Sequence, residues 1–342
     1  MDLQSGSASS SVGGLVTPPA RSGTLASLPT GTVATVRVPA TSANLGPGFD
    51  AFGLALDLCD EVRAEVRDGA GLFVRVEGQG AGVVPTDERH LVVRVLREEL
   101  AAAGFAAPGL DVLCRNVIPH GRGLGSSASA IVAGLAVARG LLRAAGVLAE
   151  TDEQSRARVL LEASRREGHP DNAAPAVHGG FTIAWTTGDD PTHPDAVRSV
   201  RLTVHPDVRA VVCVPAEELA TSRARALLPA TVPHGDAALT AGRAGLLVHA
   251  LTADPSLLLD ATEERLHQAQ RAPAMPRSAD LLRALRSEGL AAVVSGAGPS
   301  VLTLTDAAGV ERVRAVAAAH GAWDVHARPV HATGVEWSGP QS

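Results

Sequence analysis

The chain has 342 residues, a formal net charge of −6 and 30 basic side chains, every one of them arginine. A lysine-free chain excludes the G-K-[S/T] phosphate loop, the pyridoxal Schiff base and the strand lysine of protein kinases. Mild acidity, no long basic run and only 2% aromatic residues argue against a nucleic-acid surface.

Residues 1–30 are rich in Ser, Gly, Pro and Thr and carry neither a basic start nor a long apolar core. They are expected to form a disordered extension and not a secretory signal. Order is expected from Val33, because Val33–Val38 alternates as a half-buried strand does. Glu61–Val66 and Leu72–Glu77 predict two further strands, Leu91–Ala103 a helix stopped by Gly104, and Leu110–Asn116 another strand. A glycine-rich loop follows, then a long small-residue helix over Ser127–Ala145 and another helix over Asp152–Arg166. The apolar stretch Ala128–Ala138 is too short to span a bilayer, so the expected location is cytoplasmic.

Thr182–Trp185 predicts a strand, and the loop-like Gly188–Pro194 a domain boundary. Beyond it come a strand (Val208–Val214), helices (Ala238–Leu251 and Ala279–Ser287), strands (Ala291–Ser295 and Val301–Thr305) around a second glycine turn, and a closing helix (Val310–His320). The pattern is α+β in two halves, each with its own glycine-rich turn. Cys59, Cys114 and Cys213 are scattered and odd in number, as reduced core thiols are.

Gly121-Arg122-Gly123-Leu124-Gly125-Ser126-Ser127 stands between a predicted strand and a predicted helix. Glycines let the backbone approach an anion closely, and free N–H groups at a helix start point towards it. Ser126 and Ser127 add hydroxyls suited to phosphate or magnesium. A structural turn with a serine cap produces the same pattern. A dinucleotide fold is disfavoured, because no acidic strand-end residue follows at the expected spacing.

Three separated segments decide the matter together: Pro39–Asp50 (P-A-T-S-A-N-L-G-P-G-F-D), Pro119–Ala128, and Ser295–Ser300 (S-G-A-G-P-S). In this order they resemble the three motifs of the GHMP small-molecule kinases, whose phosphate loop P-x-x-x-G-L-G-S-S-[A/G] uses no lysine. Within that superfamily, Thr41–Asp50, Glu167–Pro175 and Thr221–Pro229 resemble the homoserine kinases. The galactokinase signature G-R-x-N-x-I-G-E-H and the G-G-G-S-S-D loop variant are absent. The resemblance runs from about Val33 to Val335.

The resemblance implies an α+β, two-domain GHMP kinase fold. Residues 31–190 would form a ribosomal protein S5 domain 2-like, ATP-binding half, and residues 191–342 a ferredoxin-like half. The implied reaction is phosphoryl transfer from ATP to the hydroxyl of L-homoserine with Mg2+, a step of threonine biosynthesis. A mevalonate-type hydroxy acid, or a catalytically silent binding protein on the same fold, stands as the alternative. Homodimers occur in this family. Neither a nucleic acid nor a membrane is implied as a partner.

Residue by residue, Pro119, His120, Gly121, Arg122, Gly123, Leu124, Gly125, Ser126, Ser127 and Ala128 would cradle ATP. Ser127 would hold magnesium together with a carboxylate on the helix before His169. Both Glu162 and Glu167 qualify, and Glu162 is the expectation. Asn44, Asp50, His169, Arg225 and Arg271 would bind the substrate, the two arginines gripping its carboxylate. Asn172, Thr221 and Asp171 would act at the reacting hydroxyl, with the identity of any general base left open.

Read by residue type alone, Asn44 and Asp50 are ordinary turn residues, and either arginine suits a surface. Three departures from the family pattern stand out. Ala220 takes the place of a serine, Leu239 that of a histidine, and Arg122 in the phosphate loop is expected to point to solvent.

Overall fold

A computed structural model describes residues 25–338, apart from 189, 191, 192, 194 and 195. The first half opens with β1 (Ala26–Ser27), β2 (Val33–Ala43), β3 (Phe52–Arg67) and β4 (Gly71–Gly78). It continues with α1 (Leu91–Ala102), β5 (Phe105–Ala106), β6 (Gly109–Asn116), α2 (Ser126–Ala144), α3 (Asp152–Glu167), α4 (Ala173–His178), β7 (Phe181–Thr186) and β8 (Val197–Leu202). Then come β9 (Arg209–Val214), α5 (Thr221–Arg225), α6 (His234–Thr252), α7 (Leu258–Ala261), α8 (Gln268–Arg271) and α9 (Pro276–Ser287). The chain closes with β10 (Ala291–Val294), β11 (Val301–Thr305), α10 (Ala307–Ala319), β12 (Asp324–Arg328) and β13 (Glu336–Ser338).

A seven-stranded sheet runs β13-β2-β3-β6-β4, with β7 added beside β3 and β8 beside β7. The first residues of β2 alternate in burial as their sequence does. At Pro39, which has no N–H to give to a ladder, the pairing with β3 slips: Pro39 faces Cys59 and Ala40 faces Leu56. Beyond the slip, β2 is buried throughout as it runs in beneath the second half.

Helix α2 lies across this sheet, built of residues small enough for close approach. A Cβ on Gly140 would come 2.8 Å from that of Ala34, and one on Gly134 2.9 Å from the Val92 carbonyl. By length and composition α2 alone among the described helices could cross a membrane, yet 72% of its most apolar 18-residue window is buried inside the protein.

The second sheet is antiparallel, in the order β10-β11-β9-β12. One face packs against α9 and α10 through Val211, Cys213, Leu281, Leu285 and Val313. The other face shares a core with the first half, where Ala40, Leu45, Phe52, Leu54 and Leu56 meet Val212, Leu247, Leu251, Val293 and Leu302. The halves are therefore joined by apolar packing.

Two expectations need correction. The disordered extension was expected through residue 30, but Ala26–Ser27 pairs in parallel with Phe105–Ala106, and Leu28 is buried. Residues 1–24 lie outside the described residues. The first sheet also takes strands from beyond position 190: β8 pairs with β7, and β13 returns from the C terminus to pair with β2. All three cysteines are free.

Candidate active site

Four segments converge on a cavity of about 340 Å³ between the halves. The first is the turn after β2. Asn44, Leu45 and Asp50 adopt positive φ values of 68°, 51° and 55°, a conformation costly for residues with side chains. Hydrogen bonds hold it in place: Asn44 Oδ1 accepts from the Asp50 N–H at 2.9 Å, and Asn44 Nδ2 donates to the Gly296 carbonyl at 2.8 Å.

The second segment is the glycine loop. Gly121, Gly123 and Gly125 all have positive φ and all line the cavity, with Ser126, Ser127 and Ala128. A Cβ on Gly123 would lie 2.3 Å from the Ser295 carbonyl, and one on Gly125 1.9 Å from Thr41 Oγ1. The loop thus needs glycine for contact as well as for φ. Gly125 caps α2 without any side-chain hydrogen bond, so the first N–H groups of a 19-residue helix are left for an anion.

The residues between the glycines face elsewhere. Leu124 is buried in the core shared by the halves. Arg122 is not directed to solvent as expected: it donates to the carbonyls of His120 (2.6 Å), Pro215 (3.1 Å) and Ala216 (2.8 Å), and pairs with Glu218. Pro119, His120, Arg122 and Leu124, expected to cradle a nucleotide, are not among the cavity's lining. They fix the loop's path.

The third segment follows α3, which ends at Gly168 in the left-handed region (φ 84°). Glu167, the last helical residue, accepts from the Ser127 hydroxyl at 2.7 Å, and both line the cavity. Glu162, the expected metal ligand, does not reach it. Its carboxylate is held by Arg165 at 2.6 Å, Arg166 at 3.0 Å and Arg158 at 3.2 Å. Of the two acids that the sequence offered, Glu167 is the one that lies beside the glycine loop.

After the helix, Asp171 is buried, and its Oδ1 accepts from the His169 ring at 2.5 Å and from the Asn172 N–H at 2.9 Å. The bond to Asp171 raises the His169 pKa above its ordinary value, against the effect of burial. Asn172 Oδ1 accepts from the Thr41 hydroxyl at 2.8 Å, its Nδ2 donates to Asp171 Oδ1 at 3.4 Å, and the residue lines the cavity.

The fourth segment comes from the second half. Thr221 begins α5, and Arg225 ends it, forking onto Asp50 at 2.7 and 3.1 Å. That pairing raises the Arg225 pKa further. Arg271, at the end of α8, is 1% exposed, and burial lowers its pKa. Its NH1 donates to the Gly296 carbonyl at 3.2 Å, while its Nε is buried without a partner. The two guanidiniums lie 5.9 and 5.3 Å from the ring centre of Phe49.

The Ser295–Ser300 turn braces this assembly. The Ser295 hydroxyl donates to the Gly123 carbonyl at 2.6 Å and lies 2.8 Å from that of Ser42. Ala220 lines the cavity beside Thr221, whereas Leu239 is not among the lining residues. Sequence reasoning missed Thr41 and Phe49. Phe49 carried a signal, as one of five phenylalanines in the chain, placed inside a glycine turn.

The model of the GHMP kinases N terminal domain matches residues 90–180, and that of the GHMP kinases C terminal domain residues 238–322. The chain is 54% identical over 284 residues to a homoserine kinase of Rhodococcus erythropolis, covering 81% of this chain and 88% of that protein. It is 51% identical over 284 residues to one of Mycobacterium tuberculosis, covering 82% and 87%. The crystal structure of homoserine kinase from Cytophaga hutchinsonii superposes with a TM-score of 0.76 at 26% identity, covering 90% of this chain and 98% of that one.

Proposed function

The chain belongs to the GHMP kinase family, among its homoserine kinases, and from that premise we propose how its residues carry out the reaction. It transfers a phosphoryl group from ATP to the hydroxyl of L-homoserine. The observation that carries the reading is the meeting, in one cavity, of a helix-N-terminal glycine loop with two arginines spread over Phe49. The first suits polyphosphate, the second a small carboxylate.

Phosphoryl transfer is chiefly a matter of positioning and charge stabilisation. The N–H groups of the glycine loop and of the start of α2 receive the phosphate oxygens. Ser127 and Glu167 offer two hard oxygen donors at that helix end, a set suited to magnesium. Bound there, magnesium would neutralise charge on the transferring phosphate.

On the acceptor side, Arg271, which lines the cavity, and the outer N–H groups of Arg225 grip the substrate carboxylate. Asp50 receives the ammonium group. Asn44, with both ends of its amide engaged, shapes the wall. Asn172 donates to the acceptor hydroxyl and aims it at the γ-phosphate, and Thr221 closes the same side. Asp171, already holding His169 and the Asn172 N–H, keeps that asparagine in place.

Purified protein with ATP, Mg2+ and L-homoserine should release ADP and form O-phosphohomoserine, read by mass spectrometry. Turnover of mevalonate or a sugar in place of homoserine would overturn the reading. Arg225→Ala and Asn172→Ala should lose use of the acceptor while nucleotide affinity persists. An unchanged homoserine KM in Arg225→Ala would remove that arginine from its role.

A further inference from the structure

We infer that His267, outside the cavity, is a positioning residue for substrate binding, holding Arg271 in its gripping orientation through a neutral imidazole protonated only on Nε2. The inference rests on the acceptor-site reading just given for Arg271.

The residue is fully buried, at 0% exposure. Its Nε2 lies 2.9 Å from the Gly46 carbonyl, in the same turn that carries Asn44 and Asp50. Its Nδ1 lies 3.3 Å from NH1 of Arg271. A carbonyl oxygen only accepts and a guanidinium only donates. Both contacts are hydrogen bonds in a single state, with the proton on Nε2 and the lone pair on Nδ1. A doubly protonated ring would set an N–H against the N–H of Arg271. Burial and the neighbouring Arg271 both lower the ring's pKa, while Glu264 and the Gly46 carbonyl act the other way.

The surroundings leave the ring little freedom. It stacks on Phe49 at 5.1 Å between centroids and an angle of 30°. The Glu264 carboxylate takes the backbone N–H groups of Leu266 (2.5 Å), His267 (2.9 Å) and Gln268 (2.8 Å), which pins the start of α8. Arg271 NH1 and Asn44 Nδ2 donate to the same Gly296 carbonyl. His267 therefore ties the acceptor turn directly to Arg271 and restrains the orientation of its guanidinium.

Three variants test this. His267→Phe keeps a ring to stack on Phe49 and loses both hydrogen bonds. His267→Asn offers an oxygen near the Nδ1 position as acceptor for Arg271. His267→Gln offers an N–H near the Nε2 position as donor to Gly46. The expected result is a homoserine KM raised about tenfold or more in His267→Phe, with kcat and the ATP KM within about twofold of wild type. His267→Asn should restore most of the homoserine KM, and His267→Gln should not. Equal changes in both KM values, or no rescue by His267→Asn, would overturn the inference. Arg271→Ala serves as the separate control. If it leaves the homoserine KM unchanged, the acceptor-site reading itself fails, whatever His267 does.

Discussion

Five positions along an α-helix turn a side chain through about 140°, so Glu162 and Glu167 of α3 lie on different faces. Sequence spacing could not choose between them, because both precede the same His169–Asn172 run. The choice is made by the helix end. Gly168 turns the chain in the left-handed region, and Glu167 is left against Ser127. Glu162 sits one turn or more back among Arg158, Arg165 and Arg166. The two variants should therefore separate. Glu167→Gln should raise the Mg2+ concentration for half-maximal activity about tenfold or more, with thermal stability kept. Glu162→Gln should leave the Mg2+ dependence unchanged. It should cost about 1–2 kcal/mol of stability, since its arginines are only partly buried. A titration of activity against Mg2+, paired with urea unfolding of each variant, checks both.

At the scale of elements, legibility followed burial pattern and length. Val33–Val38 alternates because one face of β2 is covered there, and it reads as a strand. Phe52–Leu56 opens β3 with every residue buried, so no alternation marks it. Helices α4, α5 and α8 have six, five and four residues, too few to show a helical period. Yet two of these short helices carry Arg225 and Arg271. The approach to the glycine loop hangs on another unmarked residue of β3, Asp60. Its Oδ1 accepts from the N–H groups of Val117 (2.6 Å) and Ile118 (3.0 Å). Burial nonetheless pushes its pKa up from 3.8 to about 6. Between those values the folded form holds the proton that the unfolded chain has released. The stabilising contribution present at low pH is thus lost as pH rises from about 4 to 6, on the order of 2–3 kcal/mol. Asp60→Asn lacks this titration. Its unfolding free energy relative to wild type should improve on going from pH 4 to pH 7.5. A difference that does not vary with pH would exclude Asp60 as the source.

Across the whole molecule, the order of the three motifs could be read from the sequence, but not their convergence. Asn44 and Gly296 are 252 positions apart and share a hydrogen bond. The contact exists because the halves meet on a common apolar core and because glycines at 123 and 125 admit another backbone or hydroxyl at short range. The C-terminal strand was equally hidden. β13 has three residues, too few to register as a strand, yet it completes the edge of the first sheet beside β2. Its Trp337 donates Nε1–H to the Ala136 carbonyl in the middle of α2 at 2.9 Å. Arg143 and Arg156 lie 4.9 and 5.4 Å from its ring. The end of the chain thus clamps the helix whose N terminus faces the cavity, from a position outside the cavity's lining. Trp337→Ala removes the ring, the hydrogen bond and both cation–π contacts. For a half-buried tryptophan the expected cost is about 2–3 kcal/mol, a fall in Tm of several degrees for a chain of this length. The KM values for ATP and homoserine should stay within about twofold below the melting range, because the helix start is held by Ser129 and the glycine loop. A loss of nucleotide affinity at a temperature where the variant remains folded would show that the clamp also sets the geometry of the phosphate site.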